Sequence, residues 1–109
     1  MMKMIIAIVQ DQDAPGLIED LTDNDFRVTR LSSTGGFLKA GNSTLLIGVD
    51  EEIMDEAISI IEDNCRTREM TTSLMTSGMP GDTYIPYPIQ VKVGGATLFI
   101  LDIDEHIKI

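Results

Sequence analysis

From Phe26 to Val49 the chain reads FRVTRLSSTGGFLKAGNSTLLIGV, and its residue types suit one kind of chemistry. Arg27 and Thr29 are two apart, so an extended strand presents a guanidinium and a hydroxyl on one face. Gly35, Gly36 and Gly41 expose backbone N–H groups that can form an anion-binding concavity. Phe37 offers a ring on which a base stacks for about 1–3 kcal/mol. An arginine–phosphate hydrogen bond adds about 1.5–3 kcal/mol. Asn42 and Ser43 flank the following strand. The window holds no Asp or Glu and carries Arg27, Arg30 and Lys39, so it is +3 in a chain of net charge −10 whose remainder is −13. That local potential favours an anion. The constellation suits a small phosphorylated ligand with a base. The plainer alternative is that Phe37 and Leu38 pack on a neighbouring subunit.

Other chemistry is thinly supplied. His106 is the only histidine and lies near the C-terminus, so no Ser-His-Asp set assembles around it, and Cys65 with His106 would meet only by coincidence of folding. DIDEH (Asp102–His106) has metal-ligand types but reads as a solvated chain end, since no second cluster supports it. DQD (Asp11–Asp13) reads as a strand end followed by a helix cap. The glycines are not a phosphate P-loop, because the Lys-Ser/Thr pair is missing and a strand, not a helix, follows. No enzyme, cofactor or metal is expected.

A chain of 109 residues makes one domain, 1–109, with a single core. Eighteen acidic against eight basic residues argue against a nucleic-acid polymer or an anionic membrane as partner. One cysteine allows no intramolecular disulfide and fits a reduced, cytoplasmic setting. The apolar start is too short for a signal peptide and acids follow at once.

The elements that must position these groups follow from periodicity. Lys3–Gln10 is apolar on both alternating faces, as in a central strand. Asp13 can cap a helix over Ala14–Asp23, with Pro15 tolerated in its first turn. Phe26–Ser33 alternates, Asn42–Val49 is the next strand, and Thr34–Gly41 is the loop between them. Asp50 caps a helix over Glu51–Asp63 whose buried stripe is Ile53, Ala57, Ile58 and Ile61. Segment 66–88 has no clear period and reads as a long loop that YIPYP ends in an extended form. Ile89–Val93 and Thr97–Ile103 are strands joined at Gly94-Gly95. The order βαββαβ plus a closing strand is the ferredoxin-like pattern, an α+β antiparallel sheet with two helices on one face. First and last strands are apolar on both faces and two short helices cover only one, so the other calls for copies of the same chain.

MKMIIAIVQDQD, the window from Phe26 to Val49, DTYIPYP and VGGATLFI together resemble the cyclic-di-AMP receptor family of P-II-like signal-transduction proteins, the PstA group, over almost the whole chain. The resemblance implies a homotrimer of ferredoxin-like subunits. It would bind cyclic di-AMP, a bacterial second messenger, without catalysis, in clefts between subunits. It also implies that the shorter loop 34–41 and the longer loop 66–88 reorder on binding and change the surface shown to an unidentified target protein. Carried over by position, Arg27, Thr29, Gly36, Phe37, Leu38, Asn42 and Gly48 match residues lining the cleft: Arg27 for phosphate, Phe37 and Leu38 beside an adenine. Asp25 stands where the family typically has Asn, and a carboxylate accepts from an adenine amino group but cannot donate. SGMPGDTYIPYP and the tail DIDEHIKI also depart from the family pattern. Two rivals remain: a P-II-like sensor of ATP or ADP, with only Arg66 and Arg68 as cations in the later segment, and a nucleotide-independent trimeric interaction module.

Overall fold

The computed structural model describes residues 1–31, 41–74 and 87–109. The elements in chain order are β1 (Met2–Gln10), α1 (Ala14–Asp23), β2 (Arg27–Leu31), β3 (Asn42–Asp50), a 3-10 turn (Glu51–Ile53), α2 (Met54–Cys65), β4 (Arg68–Leu74), β5 (Tyr87–Val93) and β6 (Ala96–Asp102). Four strands form one sheet in the order β2-β3-β1-β6, with every neighbouring pair antiparallel. This is the ferredoxin-like α+β arrangement, with α1 and α2 on one face.

That face is the core. Ile5, Ala7 and Val9 of β1 alternate inward and lie beside Leu45, Ile47 and Val49 of β3. They pack with Leu17 and Leu21 of α1, Ala57 and Ile61 of α2, and Phe26. Burying each large side chain is worth about 1.5–3 kcal/mol. Asn64 Nδ2 donates to Asp20 Oδ2 at 2.9 Å and joins the two helices. The opposite face has no such cover among the described residues. Three rows cross it: Arg27–Gly48–Met4–Leu101, Thr29–Leu46–Ile6–Phe99 and Leu31–Thr44–Ile8–Thr97. Phe99 and Leu101 are 52% and 49% exposed there. β6 is the outermost strand on its side of the sheet.

Several sequence expectations change. Arg68–Leu74, inside the segment read as a loop, is a strand, and it pairs with β5 in a separate two-stranded ribbon. Residues 68–71 are all exposed, so no core-facing stripe marked the strand; the β-prone threonines were the signal. The fourth strand of the main sheet is therefore β6, and the additional strands are this ribbon rather than a simple closing strand. Asp50 does cap, its carboxylate accepting from the Glu52 N–H at 3.2 Å, but the first turn is 3-10. Ile53 consequently points out, 46% exposed, and Cys65 joins Ala57 and Ile61 in the buried stripe. Asp13 occupies the N-cap position of α1, yet its side chain caps nothing; it has turned to Arg68. Of the loop 34–41, only Gly41 lies within the described residues.

Candidate functional site

The site residues of β2 and β3 are held by how α1 ends. The Phe26 N–H donates to the Leu21 carbonyl at 2.9 Å and the Asp25 N–H to the Thr22 carbonyl at 3.0 Å. This is a Schellman end, with Asp25 in the left-handed region at φ 67°. Glycine and asparagine take that conformation more readily than aspartate. Phe26 then drops into the core, and Arg27 and Thr29 emerge on the open face, both exposed.

Gly48 lies between Arg27 on one side and Met4 on the other, mid-strand. A Cβ added there would meet nothing within 4 Å among the described residues. A glycine inside a strand weakens it unless something must approach its backbone. Among the described residues Arg27 has no carboxylate within ion-pair distance, whereas Lys3, Arg30, Arg66 and Arg68 each have one. An open hollow of about 330 Å³ adjoins the end of the same face, lined by Ile8, Gln10, Asn42, Gly94 and Thr97 among others. The larger hollow, about 410 Å³, lies on the helix side by Ile58, Ile61, Cys65 and Leu98 and contains none of the sequence-derived site residues.

The structure thus brings Arg27, Thr29, Asn42 and Gly48 onto one face, with Asp25 at its margin. Gly36, Phe37 and Leu38 lie outside the described residues. The nucleophile candidate is inert: burial pushes the Cys65 thiol up to about 11, and the Asp13 carboxylate adds to the shift while Arg68 opposes it. Among the described residues no three potential metal ligands cluster, and no helix is long and apolar enough to cross a membrane.

One group of residues escaped the sequence reading. At the end of β1, Gln10 Oε1 accepts from the Gly94 N–H at 2.7 Å. Asp11 Oδ1 accepts from Ser43 Oγ at 2.5 Å, and Arg30 Nη2 donates to Ser43 Oγ at 2.8 Å. The Asp11 N–H donates to the Gly41 carbonyl at 2.8 Å. Arg68 Nη2 donates to Asp13 Oδ1 at 2.7 Å. The only signal was a polar run, Gln10–Asp13, closing an apolar strand.

The model of a family described as cyclic-di-AMP receptor matches residues 2–109. Among solved structures, a protein of unknown function from Pediococcus pentosaceus ATCC 25745 is similar at 42% identity and a TM-score of 0.78, the match covering 99% of this chain and 97% of that one.

Proposed function

Because the chain belongs to the cyclic-di-AMP receptor family, we propose that it is a non-enzymatic sensor that takes cyclic di-AMP against the open face of β2 and β3. The observation that carries this reading is Arg27, an exposed guanidinium without a carboxylate partner among the described residues, beside the empty space over Gly48. Cyclic di-AMP brings two phosphodiester anions and two adenines. Arg27 pairs with a phosphate through charge-assisted hydrogen bonds. Thr29 donates its hydroxyl from the same face, and Gly48 lets the ligand reach the strand backbone. Asn42 offers both a donor and an acceptor to a base edge. Asp25 accepts from an adenine amino group. Gly36, Phe37 and Leu38 complete the site, with the ring of Phe37 against an adenine.

The cleft is formed between subunits of a homotrimer. Met4, Ile6, Ile8, Leu46, Phe99 and Leu101 give the open face the apolar character of an interface rather than of a solvated sheet. Binding changes the surface around loop 34–41 and the β4–β5 region, and a target protein in the bacterial cytoplasm reads that change. Against ATP or ADP as the ligand, the two cations such a site would recruit are already engaged: Arg66 lies 3.8 Å from Asp63, and Arg68 is bound to Asp13.

Calorimetric titration of the trimer with cyclic di-AMP, with ATP as competitor, tests the reading. Saturable binding at one ligand per subunit, undisturbed by ATP, is expected. Absence of heat and of any thermal shift refutes it.

A further inference from the structure

We infer that Gln10–Asp13, the turn from β1 into α1, is a coupling element: it fastens the ligand-bearing end of β2 and β3 and the base of the β4–β5 ribbon to one another. The inference rests on the reading that β2 and β3 carry the ligand, and it assigns positioning roles to Asp11, Asp13 and Arg68.

Three of these four residues, Gln10, Asp11 and Asp13, reach in two directions. Toward β2 and β3, the Asp11 N–H holds the Gly41 carbonyl and the Asp11 carboxylate receives Ser43 Oγ. Arg30 Nη2 closes the cluster, 2.8 Å from Ser43 Oγ and 3.7 Å from Asp11 Oδ1. Ser43 is buried and follows Asn42, so this cluster sits directly beneath the strand end that offers Asn42 to the open face. Toward the ribbon, Asp13 Oδ1 receives Arg68, the first residue of β4. Gln10 Oε1 receives the Gly94 N–H, just after the last residue of β5. Both strands of the ribbon are therefore anchored at one end by this turn.

The anchorage is stiff. The Asp13 side chain is 5% exposed, and its Oδ2 has no hydrogen-bond partner among the described residues, where Arg68 compensates a desolvated carboxylate. The same guanidinium donates through Nη1 to the Arg66 carbonyl at 3.1 Å, which fixes the exit from α2. Gly94 packs against that carbonyl so closely that a Cβ would lie 2.5 Å from it. Such a junction has few ways to adjust. A displacement of Gly41 or Ser43 moves Asp11, and through the short peptide to Asp13 it moves Arg68. Coupling of this kind is reciprocal.

The test is amide hydrogen exchange on the full chain, with and without saturating cyclic di-AMP. Without ligand, Ser43→Ala is expected to speed exchange of the β4 and β5 amides. Arg68→Gln is expected to speed exchange at Asn42–Thr44. Each change should be roughly three- to tenfold. With ligand, the wild type transmits a change in exchange to β4 and β5. Arg68→Gln keeps its affinity within about threefold, but its ribbon no longer responds, and Arg68→Lys restores part of the response. Cross-effects absent from folded, unliganded variants overturn the inference, as does a ribbon in Arg68→Gln that answers ligand as the wild type does. Should Arg68→Gln fail to fold, Asp13→Asn, which removes the buried charge, takes its place with the same expectation. A wild type that does not bind cyclic di-AMP refutes the functional reading, while the unliganded cross-effects still decide the coupling.

Discussion

The covered and open faces of the main sheet are cut from the same strands and treat their arginines in opposite ways. On the covered side, Arg30 is bound to Ser43 and lies beside Asp11. On the open side, Arg27 stands three residues earlier, opposite a glycine, with no carboxylate partner among the described residues. The covered face is filled by Ile5, Ala7, Val9, Leu45 and Ile47, and nothing further is needed to stabilise it. The open face has comparable apolar residues and no helix over it among the described residues. The difference separates side chains that complete the subunit core from side chains that the proposed function assigns to a ligand or a second subunit.

The largest expected effect is on assembly. Leu46→Asp places a carboxylate in the middle of the open face, between Thr29 and Ile6. It should leave the subunit folded, with unchanged far-UV circular dichroism, and convert the trimer to monomers by sedimentation velocity. Ile47→Asp, one residue on but facing the core, should instead unfold the chain. A Leu46→Asp protein that still sediments as a trimer would break the comparison.

The arginines give the next contrast. Arg27→Ala removes charge-assisted hydrogen bonds of about 1.5–3 kcal/mol each, so calorimetry should show affinity for cyclic di-AMP falling by about 100-fold with the melting temperature unchanged. Arg30→Ala should shift affinity by no more than about threefold and lower the melting temperature instead. Equal losses of affinity from both would abolish the distinction between the faces.

The covered side also carries a pH signature. The Cys65 thiol has a folded pKa of about 11 against an ordinary 9.0, because burial disfavours the thiolate. Its contribution to stability is therefore complete below pH 9 and is lost as pH rises from there through 11. Denaturant titrations at pH 8 and 10.5 should differ by about 2 kcal/mol more in the wild type than in Cys65→Ala.

Smaller effects sharpen the open face. The methyl of Gly48→Ala meets no atom within 4 Å among the described residues, so the isolated subunit should be as stable as before or more so. Affinity for cyclic di-AMP, or trimerisation, should nonetheless weaken by about tenfold, because the added methyl occupies space that belongs to something else. Asp25→Asn should raise the melting temperature slightly. The left-handed backbone suits asparagine, and a carboxylate leaves the negative end of α1, an effect of about 0.3–1 kcal/mol. It should also tighten ligand binding a few-fold by adding a donor.

Much of this was legible before folding was considered. Lys3–Gln10 is apolar on both faces, which marked it as a central strand, the acid-free window drew attention to Arg27, Thr29 and Asn42, and Gly48 entered only through the family resemblance. What was not legible depends on long-range meetings. Asp13 and Arg68 are 55 residues apart, and an aspartate before a proline-started helix reads as a cap whether or not it caps. β4 pairs with β5 in a ribbon apart from the main sheet, and its residues 68–71 are exposed, so no core-facing period marked it in the sequence. The left-handed turn at Asp25 likewise lacks the glycine that usually announces one.

β6 carries a further consequence. It is apolar on both faces and ends the sheet, so its outer edge presents unpaired backbone donors and acceptors among the described residues. A lone subunit is accordingly a template for strand addition by its neighbours, the first step of aggregation. The chain also carries a net charge of −10. Mutual repulsion between chains of that charge opposes edge-to-edge contact, so added salt, by screening it, is expected to speed aggregation of an isolated subunit.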